Sequence, residues 1–550
     1  MTGLLSSRSA DETIAFTTMA ISLKAPRRPV LSVLTVLTVL TVLTVLTVLS
    51  VSPASAQSAP RDLDAAISHI LARFDQPGAA IAVVRDGKVV FRQGWGVRTV
   101  GQPTRIDEHT RFQVASNTKA MTSAALAILV EDGKLRWDDR VIDHLPWFRL
   151  GGDPYITRDF RVRDLLSHRS GLSLGQGDLL IFGSDYTSRE IAERLRFLNP
   201  PNSFRAGYAY DNVLYIVAGE LVQAVSGMSW SEFVTQRILL PLGMRESATS
   251  IAGVTLAENV ASPHDRRDGQ AVVIVHDSLP NGLSAGGIVS SVADWTRWML
   301  VQLDSGRVTA DTRLWAPAQT GAMWAPEIAL PIGNPPPGFG ILRPNFAAYG
   351  LGWSLRDYRG LKLVTHDGGL QGMLSRTILV PEKNIGIAVF TNGMTQAYRA
   401  LGWTVLDWAL GAPKTDWETL LYNVDQGGVS GDRAFEDSAQ AARMKSVGPS
   451  LPLAQYAGRY SDEWYGDVTL ALDGGHLVLR WSHSPSATAD LEHWQYDTFR
   501  ARMREPTVAD AFVTFAIGAD GKVERMTMLP FYPSTDFSFD YQDLLFHPVH

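Results

Sequence analysis

The sequence predicts an α/β fold, an antiparallel sheet flanked by helices, followed by a small all-β domain. Strand-like runs occur near both ends of residues 57–410, and apolar helical patterns lie between them. The first and last segments of this region are therefore expected to join in one sheet around a helical subdomain. Residues 452–550 carry short alternating runs separated by turns, which favours a small barrel.

The first elements are a helix and a hairpin. Apolar residues recur at helical spacing over residues 62–76. Two strand-like runs follow at residues 79–84 and 88–91, joined by Asp86-Gly87, a dipeptide typical of tight hairpin turns. These runs predict the beginning of the sheet.

Helices dominate the middle of the chain. Apolar helices are predicted at residues 121–131 and 213–225, each followed closely by a glycine, and an amphipathic helix at residues 289–303. Strands at 377–390 and a helix at 398–410 complete the region.

The composition of the chain changes after residue 410. Residues 411–451 are polar and contain Gly and Ser, so they predict a linker with one short helix near Ala441. Beyond it, four strands are predicted in the second domain, at residues 468–472, 476–481, 511–516 and 523–529.

The N-terminal segment is typical of an export signal, predicted over residues 1–56. Basic residues precede an apolar run at residues 30–50, and a small-residue triplet follows it. We expect cleavage between Ala56 and Gln57, a periplasmic mature protein and no stable membrane insertion. An uncleaved anchor is the alternative, because the run is long enough to span a bilayer.

Composition excludes several classes of function. The chain has 550 residues, a net charge of −6 and no cysteine. It therefore has no disulfide, thiolate zinc site or cysteine nucleophile. The absence of a basic excess argues against a nucleic-acid partner, and no metal-ligand spacing occurs, so we expect neither metal nor cofactor. The oligomeric state is not encoded in any pattern.

The first motif that carries chemistry is Ser116-Asn117-Thr118-Lys119, where a helix begins after a strand-like run. Ser116 would lie at the helix N-terminus, where the dipole favours a developing alkoxide. Lys119, one turn later, would share its face and could accept the serine proton if desolvation lowers its pKa. Taken alone, the motif favours the alternative of a capped helix with a surface lysine.

A second motif, Tyr210-Asp211-Asn212, directly precedes a predicted helix. A nearby lysine cation could depress the pKa of Tyr210 and make it a base. Asn212 could hydrogen-bond both the lysine and a substrate carbonyl. The alternative is a helix cap beside a packed tyrosine.

A third motif, His366-Asp367-Gly368-Gly369, ends a strand-like run. Its glycines would let a substrate approach closely, and an N–H group there could complete an oxyanion hole with the N–H of Ser116. The alternative is a turn that ends the strand.

In this order and spacing, the motifs resemble those of the serine β-lactamase and penicillin-binding-protein-like hydrolases. The closest branch is that of class C β-lactamases, D-aminopeptidases and esterases. Flanking segments also match, including residues 112–115, 165–172, 241–244 and 285–288. The resemblance covers about residues 62–410. Residues 452–550 resemble the lipocalin-like domain attached to some members.

The resemblance implies a β-lactamase-like fold and assigns the site. Ser116 would form an acyl-enzyme, and Lys119 and Tyr210 would activate it, with either one as the base. The remaining implied residues are His366 in the third motif, Asn212 and Gly368 at the substrate, and Gly369, whose N–H would join that of Ser116 in the oxyanion hole.

Two positions depart from the common pattern. His366 stands where lysine is common in β-lactamases, which favours the peptidase and esterase branches. Asp367 adds a carboxylate, and we expect it to disfavour substrates that carry carboxylates.

The resulting expectation is an exported serine hydrolase that acts on small peptide, amide or ester substrates. The narrower hypothesis is cleavage of short or linearised peptides, including peptides with D-residues such as linearised microcystin. The alternatives are a carboxylesterase or weak β-lactamase of the same fold, and a catalytically silent penicillin-binding module.

Overall fold

The computed structural model describes residues 58–267 and 269–549. The predicted export signal and its cleavage point lie outside the described residues. The predicted fold class is confirmed, because an antiparallel sheet with helices on both faces precedes a closed eight-stranded barrel.

The N-terminal region contains one large sheet and two small strand pairs. The strands are β1 (Gly78–Arg85), β2 (Lys88–Gly96), β3 (Phe112–Gln113), β4 (His264–Arg267), β5 (Gln270–Val273), β6 (Val289–Ser290), β7 (Ile328–Ala329), β8 (Ala347–Tyr349), β9 (Ser354–Tyr358), β10 (Leu361–Leu370), β11 (Met373–Val380) and β12 (Ile385–Thr391). The large sheet has the order β2-β1-β12-β11-β10-β9-β8-β7, while β3 pairs with β6 and β4 with β5. The first and last segments do join, because β1 pairs with β12 from Ala79↔Thr391 to Arg85↔Ile385.

Helices pack on both faces of the large sheet, form the helical subdomain beside it and continue into the segment that follows. They are α1 (Arg61–Arg73), α2 (Thr118–Glu131), α3 (Ser188–Arg194), α4 (Val213–Ser226), α5 (Trp230–Val234), α6 (Val292–Leu303), α7 (Pro317–Met323), α8 (Ala397–Leu410) and α9 (Trp417–Ala442). Shorter helical turns are Val141–His144, Pro154–Asp159, Val162–Leu165, Leu240–Leu242 and Leu283–Gly286.

The alternation of side chains along β1 explains the layered core. Ala80, Ala82 and Val84 belong to the cluster formed with α2 and α6, whereas Ile81 and Val83 belong to the cluster formed with α1 and α8. A strand that is buried on both faces needs a continuous apolar sequence. The central layer therefore holds β10 and β11 rigidly beside the helical subdomain.

The segment predicted as a linker is largely helical. Instead of one short helix near Ala441, the 26-residue helix α9 occupies it, starting at Trp417. The Trp417 indole donates to Asp407 on α8 at 2.8 Å, and Leu421 is also buried. Packing of these two side chains therefore outweighs the weak helix propensity of Gly427 and Gly428.

The C-terminal domain is a closed antiparallel barrel in which consecutive strands are neighbours. Its strands are β13 (Gly458–Asp462), β14 (Gly466–Asp473), β15 (His476–Trp481), β16 (Ala489–Gln495), β17 (Thr498–Met503), β18 (Ala511–Ile517), β19 (Val523–Pro530) and β20 (Leu545–Pro548). β13 pairs with β20 and closes the barrel. This is the up-and-down arrangement typical of lipocalin-like barrels.

No single helix within residues 58–267 and 269–549 is both long and apolar enough to span a bilayer. One bent pair of helices, Val213–Ser226 and Trp230–Leu242, meets the criterion when the two are combined.

Candidate active site

Ser116 lies on a tight turn between β3 and α2. The turn is a single 3₁₀ turn that runs directly into the helix, as the sequence predicts. Ala115, just before the serine, has a positive φ of 48°, a conformation that non-glycine residues rarely adopt. Asn117 and Ser375 hold the turn: Asn117 Nδ2 donates to Ser375 Oγ at 2.8 Å, and Ser375 donates to the carbonyl of Val114 at 2.7 Å. The strand β11 therefore fixes the position of the serine.

Lys119 lies one helical turn from Ser116 and is fully buried. Its Nζ is 3.2 Å from Ser116 Oγ, 2.6 Å from Asn212 Oδ1 and 3.1 Å from the carbonyl of Ala285. Burial lowers the pKa of Lys119 to about 7, against the opposing effect of nearby carboxylates. A large share of this lysine is therefore neutral near pH 7.

The three oxygen partners of Lys119 suit a neutral amine as well as an ammonium group. Asn212 Oδ1 and the Ala285 carbonyl are acceptors only, so they take the two N–H groups. In its neutral form, Lys119 would use its lone pair to accept the proton of Ser116 Oγ, the one partner with a proton to give. The site is thus arranged for transfer of the serine proton to Lys119.

Two buried carboxylates that the sequence did not reveal as site residues surround this group. Asp178 Oδ2 accepts a hydrogen bond from Asn212 Nδ2 at 2.7 Å, and Asp211 is adjacent to Asn212 in the chain. Burial raises the pKa of each carboxyl to about 7, and the charge of Lys119 opposes that rise. Asp178 is therefore a positioning residue that orients the Asn212 amide toward Lys119.

The expected depression of the pKa of Tyr210 is wrong. Desolvation raises the pKa of Tyr210 well above its usual range, and interaction with the Ser116 side chain offsets only part of the rise. The tyrosine ring lies 4.2 Å from the ring of His168, at a tilt of 34°, and burial lowers the pKa of that histidine well below its usual value. Tyr210 therefore stays protonated and can donate a proton, but it is a poor base.

His366 is a neutral donor and acceptor in the cavity wall. Its Nδ1 lies 2.6 Å from its neighbour's carbonyl, that of Asp367, and its Nε2 lies 2.8 Å from the hydroxyl of Tyr349. Burial lowers the pKa of His366 to about 3. Since a carbonyl can only accept, Nδ1 carries the proton and Nε2 accepts from Tyr349.

The third motif lies within β10, not in a turn after it. The part of β10 that contains it pairs with β11, while β9 pairs with β10 only up to Thr365. One edge of the strand therefore opens to the cavity at Gly369. A Cβ added to Gly368 would meet the Val114 carbonyl at 2.2 Å, so only glycine lets β10 approach the serine turn this closely.

A loop of the barrel also reaches the site. This barrel loop, residues 531–540, connects β19 toward β20. Ser538 Oγ donates to Asp178 Oδ2 at 2.9 Å, and the ring of Phe537 lies 5.7 Å from that of Tyr210. Asp540 is buried and accepts from the backbone N–H groups of Gly177 at 2.6 Å and Leu179 at 3.0 Å.

These groups surround one cavity of about 1020 Å³. Ser116, Tyr210, Asn212, His366 and the two motif glycines all line it, as does the barrel loop. The structure therefore brings together every predicted site residue, with Lys119 buried directly behind the serine.

We expected Asp367 to add a negative charge that repels acidic substrates, but its carboxylate is paired with arginines. Its carboxylate oxygens lie 3.5 Å from Arg376 Nε and 3.6 Å from Arg399 Nε. The expectation that Asp367 disfavours acidic substrates therefore loses its physical basis.

Comparisons with known proteins match two families along the chain. A family model described as Beta-lactamase matches residues 63–409, and one described as Domain of unknown function (DUF3471) matches residues 442–548. The curated relative Unguisins hydrolase ungD of Aspergillus violaceofuscus is 29% identical over 477 residues, which cover 80% of this chain and 82% of the relative.

Solved structures share the fold. The octameric penicillin-binding protein homologue from Pyrococcus abyssi aligns with a TM-score of 0.53 and 22% identity, over 88% of this chain and 99% of its own. The D-amino acid amidase from Ochrobactrum anthropi SV3 aligns with a TM-score of 0.52 and 23% identity, over 64% of this chain and 98% of its own.

Proposed function

The chain belongs to the beta-lactamase family and is a serine hydrolase, and from that premise we propose that it cleaves amide bonds of short peptides through an acyl-enzyme on Ser116. The contact that carries the proposal is that of Lys119 Nζ with Ser116 Oγ. A buried amine with a pKa of about 7, held by two acceptor-only oxygens, supports its role as the base.

In the acylation step, Ser116 Oγ forms a bond to the substrate carbonyl carbon while its proton passes to Lys119. The N–H groups of Ser116 and Gly369 bind the carbonyl oxygen as negative charge develops on it. The carbon–nitrogen bond then breaks, and Tyr210 donates its proton to the departing amine and regains one from Lys119. In deacylation, a water oxygen forms a bond to the acyl carbon while one water proton passes to Lys119, the bond from that carbon to Ser116 Oγ breaks, and Ser116 regains a proton from Tyr210, which takes one from Lys119.

The neutral forms of Tyr210 and His366 support this division of roles. The raised pKa of Tyr210 keeps a proton ready for the leaving group at neutral pH. The lowered pKa of His366 keeps its imidazole uncharged, so that it acts as an oriented dipole in the wall. Asn212 holds Lys119 in place and, as a cavity-lining amide, positions the substrate.

The proposed substrates are short or linearised peptides, including peptides with D-residues. The names of the unguisins hydrolase and the D-amino acid amidase, relatives in sequence and in fold, support this choice. A cavity of about 1020 Å³ has room for several residues of a peptide. Linearised microcystin belongs to this class. We place the reaction in the periplasm because the N-terminal residues have the pattern of an export signal.

The test is active-site labelling combined with product analysis. Purified protein and its Ser116→Ala variant are treated with a fluorophosphonate and with a fluorescent penicillin, and short L- and D-peptides are followed by mass spectrometry. Serine-dependent labelling with peptide cleavage is the expected result. Ester turnover with intact peptides would select a carboxylesterase, and penicillin turnover a weak β-lactamase. No labelling and no turnover would leave a silent binding module and overturn the proposal.

A further inference from the structure

An arginine-rich chamber lies around the open edge of β10 and belongs to the same cavity as Ser116. We call it the arginine chamber and define it by Arg356, Arg376 and Arg399, which all line that cavity. Side chains alternate along a strand, so His366 points to the serine side of the sheet and Asp367 to the opposite side. Asp367 lies directly across from Arg376 on β11.

Arg376 is the most buried of the three arginines. It is 6% exposed, and its guanidinium lies 4.7 Å from the ring of Trp403 on α8. Its Nε has no hydrogen-bond partner among residues 58–267 and 269–549, and the carboxylate of Asp367 stays 3.5 Å away. A buried guanidinium normally has its donors satisfied, so this one has capacity for a further acceptor.

The neighbouring charges leave the chamber positive. Arg356 donates to the carbonyl of Leu342, and its own Nε has no partner in the described part of the chain. Arg399 contacts Asp367 at 3.6 Å. Arg376 and Arg399 thus share the carboxylate of Asp367, while Arg356 has both Asp357 and Asp367 as nearby negative charges, so the three guanidiniums outnumber the two carboxylates. Burial and the charge of Arg376 lower the pKa of Arg356, as expected where cations crowd together.

Stacking on Trp403 does not account for this arrangement. A guanidinium above an aromatic ring gains about 0.5–2 kcal/mol, and an apolar side chain would cover the same ring without unpaired donors. A planar anion that accepts two parallel N–H bonds from the outer edge of a chamber guanidinium would add acceptors and offset positive charge there.

We propose that the arginine chamber binds a carboxylate of the substrate, so that the enzyme prefers peptides with an acidic group close to the scissile bond. The proposal rests on the proposed function and names its substrate class. A peptide that crosses the open edge of β10 would place its scissile carbonyl at Ser116 on one side and its carboxylate at Arg376 on the other. The carboxylate comes from an acidic side chain or from the peptide C-terminus.

The experiment compares matched peptides with the full-length enzyme. One pair differs only by Glu or Gln beside the scissile bond, with the C-terminus amidated. A second pair has Gln in both and differs by a free or an amidated C-terminus. Each peptide is assayed for kcat and KM with the wild type and with the Arg376→Gln, Arg399→Gln and Arg480→Gln variants. Arg480 is exposed on the barrel and is the matched control.

We expect one acidic peptide to exceed its neutral partner in kcat/KM by roughly ten- to a hundredfold, the range for charge-assisted hydrogen bonds. The pair that shows the preference identifies the source of the carboxylate. Arg376→Gln should reduce this ratio about tenfold, mainly through KM, and Arg399→Gln by a smaller factor. Arg480→Gln should leave it unchanged. The proposal would be overturned if the ratio of kcat/KM were near one for both peptide pairs, or if neither Arg376→Gln nor Arg399→Gln changed it.

A binding measurement separates this proposal from the proposed function. Calorimetric titration of Ser116→Ala with N-acetyl-D-glutamate, N-acetyl-D-glutamine and inorganic phosphate needs no turnover. Binding of the glutamate alone, weakened in the Ser116→Ala/Arg399→Gln double variant, is expected. Equal binding of glutamine, or binding of phosphate alone, would overturn the carboxylate assignment. If the wild type hydrolyses peptides without preferring acidic ones, the carboxylate-binding proposal fails and the proposed function stands. If no hydrolysis depends on Ser116, the proposed function itself fails.

Discussion

Lowering the pH from 8 to 6 is expected to reduce kcat/KM about tenfold, because Lys119 must be neutral to accept the serine proton. Burial lowers the pKa of Lys119 from 10.5 to about 7. A change of this size means that the site disfavours the ammonium form by about 5 kcal/mol. With a pKa of about 7, the neutral fraction falls from roughly nine-tenths at pH 8 to roughly one-tenth at pH 6.

The assay is kcat/KM for a neutral ester and a neutral peptide amide between pH 5 and 10 at constant ionic strength. Both substrates should give the same sigmoid, with activity rising through pH 7. Circular dichroism at each pH controls for unfolding. Because the substrates carry no titrating group, the midpoint of the kcat/KM profile reports the pKa of a group in the free enzyme.

The Asp178→Asn variant tests the cause of the midpoint. The charge of Asp178 raises the pKa of Lys119, so its removal is expected to move the midpoint to lower pH. Asp311→Asn, at an exposed position, should leave the midpoint in place. Activity that stays level down to pH 5, or a midpoint that rises in Asp178→Asn, would refute lysine as the base.

Three further predictions concern the framework of the site. Gly368→Ala places a Cβ 2.2 Å from the Val114 carbonyl, so we expect loss of about 1–3 kcal/mol of unfolding free energy together with a large fall in kcat; a variant with wild-type values in urea titration and assay would contradict the argument. Asp540→Ala leaves the N–H groups of Gly177 and Leu179 without their acceptor and should cost about 2–4 kcal/mol by the same titration, whereas a change below 1 kcal/mol would mean that the barrel loop is not anchored there. Trp417→Ala should cost about 3–5 kcal/mol, read as a lower midpoint of thermal unfolding, and an unchanged midpoint would show that α9 does not stabilise the N-terminal region.

The sequence was sufficient for the residues that belong to contiguous motifs. Ser116 lies on the 3₁₀ turn that leads into α2 and Lys119 follows three residues later, so their spacing allows the contact, and the other two motifs favoured it over a surface lysine. Asp178 had no such signal, since its partner Asn212 is 34 residues away and Ser538 is 360 residues away. Contacts of that separation depend on how whole elements pack, and local patterns carry no information about them.

Three sequence-based predictions failed for physical reasons. Asp367 directly follows His366 in a strand, and alternation places neighbours on opposite faces. The direction of the Tyr210 shift depended on desolvation, which outweighs a nearby cation once surrounding rings exclude water. The long helix α9 was missed because its glycines masked the two buried residues, Trp417 and Leu421, that attach it.

The barrel loop gives this chain a separate route for evolutionary diversification. Ser116 lies on the turn that leads into α2 and Lys119 lies on α2 itself, whereas Phe537 and Phe539 enter the cavity wall from a surface connection of another domain. Connections of this kind accept insertions at a small entropic cost. Mutation of the loop can therefore reshape the cavity while the geometry between Ser116 and Lys119 is preserved, so selection can alter which peptides fit without rebuilding the apparatus that cuts them.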